Sequence, residues 1–483
     1  MMKHTWSVMA IAACLLTGAL ISCGSEGDGT AVSDSGDITT AAVTETEEVS
    51  RPFIESADYG GAEVRIQAFQ VYYAPALWAE EENGDQYNDV LYQRIAQTEE
   101  YLNIDITFDD SIGVGDTAKI VETSVAAGDD AIQLVISHDM TGNSKLVSGN
   151  LCYDIASMES VDLNREYWKL SAYEMLAING HIYLTKPAFI IPSVGCFAFS
   201  KQLMADYDIE EPYQDVLDGK WTLDRMMEMS KLVTNDVNGD GTMDENDTYG
   251  FACGADWQLN AFIYSLGSSI TTLDDQGKIV LAMDTPHTAE VFDKLHNFLN
   301  NSGDAYLGGD SRTFIESGRA LFVQFTTKAL DGLRDCENDY GIVPYPKWDE
   351  AQERYNGYDI SSFLSVPSTV SDPEMIGKTM EMLNYYSTEL VLPTYYDIQL
   401  NAKSVRDEES IQMLDLVFND IYCDAGRTYF GLDNGSMFNL VYSISHHVYK
   451  NSTGDFASFY AKNEKGAQKC IDDFYKAVEA NQS

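Results

Sequence analysis

From Ala62 to Ser137, strand-like and helix-like runs alternate. Ala62 to Phe69 reads as a strand, a helix capped by Asn88 runs to about Leu102, and Ile104 to Phe108 is strand-like again. Ala118 to Ala127 is helix-like, and Ala131 to Ser137 returns to strand. Strands separated by helices can share a sheet when they run parallel and the helices cover its faces, so the chain reads as an α/β protein. Further on, Asp372-Pro373 pairs a cap with proline at the first helical position and opens a helix to about Ser387. Ile411, Leu414, Phe418 and Ile421 recur at helical spacing, as do Ile471, Phe474, Tyr475 and Val478. No internal repeat of solenoid period is present.

The first 22 residues are a leader of another kind. Lys3 precedes an almost wholly apolar run from Val8 to Ile21, too short for a membrane span and laid out as a secretory signal. The run ends at Leu20-Ile21-Ser22-Cys23, which resembles the lipobox of bacterial lipoproteins, in which the cysteine becomes the lipid-bearing first residue of the mature chain. Residues 23–57 follow as an acidic spacer, with no aromatic residue before Phe53, too poor in apolar mass to offset its ordering entropy. The expected location is therefore the outer face of the bacterial cell membrane, tethered by lipid on Cys23. The spacer leaves enough chain for two or three domains with sizeable cores, and no later run has the length of a membrane span.

Thirty Lys and Arg face 77 Asp and Glu, a net charge of −47. Such a field disfavours nucleic acid and anionic ligands as partners. Cys152, Cys196, Cys253, Cys336, Cys423 and Cys470 are scattered without C-x-x-C spacing and read as isolated thiols.

Residues 236–247, DVNGDGTMDEND, match the twelve-residue calcium loop. Asp236, Asn238 and Asp240 offer side-chain oxygens at positions 1, 3 and 5, Gly241 the turn, the Thr242 carbonyl position 7, and Asp244 position 9. Position 12 is Asp247, a shorter ligand than the usual glutamate. Five acidic side chains between Asn235 and Phe251, with no Lys or Arg, would repel one another without a cation. The preceding helix, with Met226, Met229, Leu232 and Val233 facing inward, and the strand-like start at Tyr249-Gly250-Phe251 make Ca²⁺ a structural staple here rather than a sensor, which needs a second helix that can swing.

Catalytic signatures are missing. There is no H-E-x-x-H, no G-x-S-x-G, no Walker A loop and no G-x-G-x-x-G after a strand. His138, His181, His287, His296, His446 and His447 show no mutual metal spacing, and the expectation is a protein without catalytic activity.

KPAFIIPSVGCFAFSKQLM, then Pro212-Tyr213 and GKWTLDRMMEMSKL running into the calcium-type loop, resemble the family 1 extracellular solute-binding proteins of bacteria. ESGRALF, LRDCENDYGIVPYPKWDEAQERY, LPTYYDIQL and RDEESIQMLDLVF resemble the same group. The resemblance covers most of the chain from about residue 58. It implies a two-lobed fold similar to maltose-binding protein, each lobe a sheet flanked by helices, with a ligand cleft at the hinge. Lobe one would be 58–192 with 347–387, and lobe two 197–340 with 391–483, the chain crossing at Pro192–Gly195, at Tyr340–Pro346 and near Leu390. It also implies a monomer that takes up a saccharide and hands it to the permease subunits of an ABC importer.

Ligands in open α/β sheets sit beyond the carboxyl ends of strands. Trp78 follows the first strand, Asp139 follows the strand ending at Ser137, and Trp168, Trp257 and Tyr396 are large aromatics on polar stretches. Sugars present apolar C–H faces and a rim of hydroxyls, so these five are the candidate ligand contacts. A glycan-cleaving surface lipoprotein and a receptor for a non-sugar solute such as a peptide are the alternative readings.

Overall fold

The computed structural model describes residues 52, 54–69, 76–333, 336–401, 408–432, 435–449 and 455–481; the leader, Cys23 and most of the spacer lie outside the described residues. Residues from Pro52 onward make one compact unit. Nine strands build its two main sheets: β1 (Ala62–Phe69), β2 (Ile104–Ile112), β3 (Leu134–Ser137), β4 (Gly195–Ser200), β5 (Tyr249–Cys253), β6 (Ala305–Leu307), β7 (Ala320–Thr326), β8 (Tyr340–Pro344) and β9 (Phe363–Ser365).

The first sheet has the order β9-β3-β1-β2, with β1 parallel to β2 and β3, and β9 antiparallel to β3. Helices α1 (Gln86–Leu102) and α2 (Thr117–Ala127) supply the crossovers. Asp85, not Asn88, caps α1: its carboxylate accepts the Asn88 N–H at 3.0 Å, and the Asn88 side chain donates to the Glu81 carbonyl. A cap oxygen must reach a backbone N–H two or three residues ahead, and Asp85 stands at that offset. Val64, Ile66, Leu134, Ile136 and Leu364 form the sheet's core with Ile376 and Met380.

The second sheet has the order β8-β4-β7-β5-β6, mixing antiparallel β8, β4 and β7 with parallel β5 and β6. Phe197, Phe251, Phe322 and Val343 anchor its core. Helix α3 (Asn143–Ser148) follows the first sheet, and α4 (Leu223–Val233) packs on the second. In α4, Met226, Met229 and Val233 are fully buried, whereas Leu232 is 59% exposed, contrary to expectation. The buried stripe runs 226, 229, 233, and position 232 turns away from it.

Two extended segments connect the sheets. The chain passes from Thr185, bridged to Leu364 of the first sheet, into β4 of the second. The return comes later than expected. Lys347 pairs with Trp221 and Leu223, the Tyr355 hydroxyl donates to the Val216 carbonyl, and Gly357–Tyr358 forms a ribbon with Ile421–Tyr422. Residues 345–358 thus stay with the second sheet because their backbone partners are there, and the passage to β9 runs through 359–362. The third connection is helical. α5 (Pro373–Tyr386), capped by Asp372 onto the Met375 N–H, continues through a π-turn at Ser387–Val391 into a helix over Leu392–Asn401. The α-helix itself ends at Tyr386 with Ser387 as its cap, as its spacing predicts. Helix α6 (Ala425–Phe430) and the C-terminal helix α7 (Phe456–Asn481) complete the unit, and α7 buries Ile471, Phe474, Tyr475 and Val478 as its spacing predicts.

Candidate ligand cleft

The carboxyl ends of β3 and β5 converge on one cavity of about 350 Å³, near the small end of the range for ligand pockets. Of three larger hollows, those of about 460 and 600 Å³ each take their walls from one sheet's surroundings, and one of about 540 Å³ lies between the 163–174 segment and Phe418, Asn419 and Ile421; the smaller cavity draws on both sheets at their strand ends.

His138, Asp139 and Met140 reach the cavity from the turn that follows β3. Asn143 fixes that turn: its amide donates to the His138 carbonyl at 2.8 Å and its oxygen accepts from the Ser137 hydroxyl at 2.7 Å. The same amide reaches the Thr428 carbonyl at 3.2 Å, tying the turn to α6. Arg427 comes from α6, whose cap, Asp424, also accepts the Ile270 and Thr271 N–H groups. The Arg427 guanidinium donates from Nη2 to Asp139, from Nε to the Tyr358 hydroxyl at 3.2 Å and from Nη1 to the Asp359 carbonyl at 3.4 Å. It also lies 4.5 Å from the Tyr358 ring centroid, a cation–π contact.

Trp257 enters from the far side, in the 3₁₀ turn Asp256–Asn260 after β5. Gly254 begins that turn where a Cβ would come within 2.7 Å of the Ser311 backbone nitrogen, so only glycine fits. Asn260 then holds the turn by donating to the Trp257 carbonyl at 2.8 Å. Tyr442 closes the wall, its hydroxyl 3.8 Å from the Met140 sulfur and its ring stacked on Phe438. Ile360 adds an apolar patch from the second crossing segment.

Charge in the cavity is balanced. His138 Nδ1 lies 3.0 Å from Asp139 Oδ1 and 3.1 Å from the Met140 backbone nitrogen, so the ring shares the Asp139 carboxylate with Arg427. Burial, helped by Arg427 and Lys186 and opposed by Asp139, holds its pKa below the ordinary histidine value. Behind Arg427 lies a second buried pair, Lys186 and Asp359 at 2.8 Å. Asp359 also accepts the Ser193 and Ser361 N–H groups, each at 2.9 Å, so one carboxylate clasps both crossing segments. Burial opposes its ionisation, but Lys186 and these donors hold its pKa below the usual carboxylate value.

Asp139 and Trp257, expected as ligand contacts from sequence, line this cavity together. Trp168 does not: it is fully buried in the first core and donates its Nε1–H to Glu381 at 2.9 Å, which leaves no face for a ligand. Trp78 stacks on Phe108 at 4.4 Å, and Tyr396 meets Phe418 edge-on at 5.1 Å; neither lines the cavity. Arg427, Tyr358 and Tyr442 were not singled out by sequence, since each is brought in by a separate element.

The 236–247 segment forms a loop between α4 and β5, with Gly241 at φ +81°. Its carboxylates accept the loop's own N–H groups: Asp236 those of Gly239 and Gly241, Asp240 that of Thr242. Asp247, fully buried, accepts from Val237 and Asp244. Among the described residues, no three His, Cys, Asp or Glu side chains converge as a metal set. Cys152, Cys196, Cys253 and Cys423 are buried free thiols.

No family model and no curated protein matches the sequence. Solved structures match over most of it. An ABC substrate-binding protein of Listeria monocytogenes in complex with cycloalternan aligns with 87% of this chain and 99% of its own, at 13% identity and a TM-score of 0.53. The fold is that of the ABC substrate-binding proteins. A sugar transporter protein of Rhizobium etli in an open conformation shares the substrate-binding fold at a TM-score of 0.58 and 14% identity, over 87% of this chain and 100% of its own. UgpB of Mycobacterium tuberculosis in complex with glycerophosphocholine shares it at 0.54 and 15%, over 80% and 95%. The two-lobed architecture implied by the sequence resemblance is thus the one found.

Proposed function

We propose that the protein is a lipid-anchored extracellular substrate-binding protein that captures a sugar or oligosaccharide between two lobes and delivers it to an ABC importer by closing the cleft. Lobe one would comprise 58–192 and 359–387, lobe two 197–358 and 391–483, with the second boundary moved to where residues 345–358 find their partners. The cavity itself carries the reading. Trp257 and Tyr442 supply rings for the C–H faces of a sugar, Tyr358 being covered by Arg427 and Tyr264, and Asp139 and Arg427 supply an acceptor and donors for its hydroxyls. Its size suits one or two rings held within the cleft, with a longer chain continuing outward.

Binding is favoured over cleavage by the carboxylate count. Asp139 is the one carboxylate among the lining residues, and it is engaged by Arg427; the two-acid route of glycoside hydrolysis uses a pair placed across the bond. Cycloalternan, the ligand named for the Listeria protein, agrees with that reading, whereas the glycerophosphocholine of UgpB marks the non-sugar alternative. A receptor must also release its cargo, so micromolar affinity, about 8 kcal/mol, is expected. A structural Ca²⁺ in the 236–247 loop and a lipid on Cys23 belong to the same proposal, on the strength of their sequence patterns.

The decisive experiment is a thermal-shift screen of the folded body against saccharides from pentoses to maltotetraose, followed by calorimetry and product analysis. Reversible stabilisation by a saccharide that is recovered intact is the expected result. A screen without any stabilising saccharide, or recovery of shortened products, would overturn the proposal.

A further inference from the structure

Resting on the reading of the cavity as a sugar site, we infer that Asp139 sets its charge selectivity: by occupying Arg427 it tunes the cleft to neutral polyhydroxyl solutes and against anionic ones. Among the described residues that line the cavity, Arg427 is the one Lys or Arg and Asp139 the one carboxylate. All three guanidinium nitrogens already have acceptors, in Asp139, the Tyr358 hydroxyl and the Asp359 carbonyl. An incoming carboxylate or phosphate is recognised by the planar fork of an arginine. Here three of its five N–H donors are already engaged, and Asp139 holds its Nη2 end.

To reach it, an anion would have to displace Asp139, which is 2% exposed and would be left as a buried charge without its partner. An anion that stopped short would face the Asp139 carboxylate itself, a like charge in a low-dielectric site. Among the described residues, the other basic groups beside the cavity are already engaged. Lys186 is bound to Asp359 and to the Ser361 carbonyl at 2.6 Å, and the buried imidazole of His138 is held toward its neutral form. The chain's net charge of −47 adds a long-range field of the same sign. A neutral sugar meets none of these penalties, since it brings no charge and leaves the ion pair intact.

The test compares neutral sugars with their acidic counterparts at fixed ionic strength. D-glucose, D-galactose, D-xylose and maltose are set against D-glucuronate, D-galacturonate and glucose 6-phosphate, by calorimetry on the wild-type body, on Asp139→Asn and on the double variant Asp139→Asn/Arg427→Gln. The wild type is expected to bind a neutral sugar at least tenfold more tightly than its acidic counterpart. Asp139→Asn, which releases the guanidinium, should gain at least tenfold for a uronate, and the double variant should lose that gain. Circular dichroism checks that each variant is folded; if Asp139→Asn is not, the wild-type preference decides alone. A wild type that binds a uronate as tightly as its neutral partner would overturn the inference while leaving the receptor reading standing. If no sugar of either kind binds, the receptor reading falls and this inference falls with it.

Discussion

Arg427 and Asp139 are joined by a buried ion pair that links α6 to the turn after β3, with side-chain exposures of 7% and 3%. Removing one member leaves the other charged in a dry site, which costs about 3–5 kcal/mol, whereas replacing both by apolar groups is often close to neutral. Arg427→Met is therefore expected to lower unfolding stability by about 3–5 kcal/mol in urea titrations, and Arg427→Met/Asp139→Leu to recover most of it. Equal losses in the single and double variants would show that the pair contributes nothing of its own.

Trp257 stands half-buried on a turn held by Asn260, so its ring can be removed without opening the core. Trp257→Ala should leave the melting temperature nearly unchanged and weaken a saccharide that binds the wild type by at least ~1–2 kcal/mol, more than a rim contact is worth. Unaltered affinity in calorimetry would remove Trp257 from the site.

Between Asp236 and Asp247 the sequence has five acidic residues and places oxygen ligands at the offsets a calcium loop uses. Chelation should lower the melting temperature and millimolar Ca²⁺ restore it, in keeping with extracellular affinities of ~10⁻⁴ to 10⁻³ M. Asp240→Ala, which removes one ligand and one charge, should abolish both responses. A variant that still responds in full would sink the site.

Cys23 closes a lipobox-type sequence, so Cys23→Ala should move the protein from the membrane fraction to the medium. Fractionation of expressing cells reads this directly, and unchanged retention would rule out the anchor.

His138 and His447 both have pKa values held down, chiefly by burial, from an ordinary value of 6.5. The unfolded chain takes up protons near pH 6.5 while the folded one resists them, so stability is complete above that pH and is lost as pH falls through the depressed folded values. The melting temperature should fall between pH 7.5 and 5.5, and His138→Gln should fall less over the same interval. An identical pH slope in wild type and variant would exclude His138 as a contributor.

The sequence carried the parts of this arrangement that depend on local order. β1, the buried stripe of α7 and the Asp372-Pro373 start of α5 follow from periodicity and capping, which act over a few residues. Asp139 and Trp257 were legible because position after a strand is itself a local property. Arg427 was not: it lies 288 residues from its partner, and nothing in its neighbourhood distinguishes it from a surface arginine. Trp168 misled for the opposite reason, since polar neighbours such as Lys169 suggest exposure, while the carboxylate that accepts its indole N–H, Glu381, comes from α5. The late return of the chain at 359–362 likewise depends on backbone partners, Trp221, Leu223 and Ile421, that no spacing rule connects to residues 345–358.

Asp359 holds the two crossing segments side by side, and the helical run through the π-turn at Ser387–Val391 adds a third connection that packs on α1 and, through Tyr395, on Phe418. Two clasped ribbons alone would let the halves both swing and twist. A helical strut set apart from them resists torsion and bends most readily at the π-turn, where the regular hydrogen-bond ladder is interrupted. If the cleft closes as proposed, this strut would gear the two halves to a single swing, so one pair of spectroscopic labels, one on each half, would follow the whole motion as a single distance.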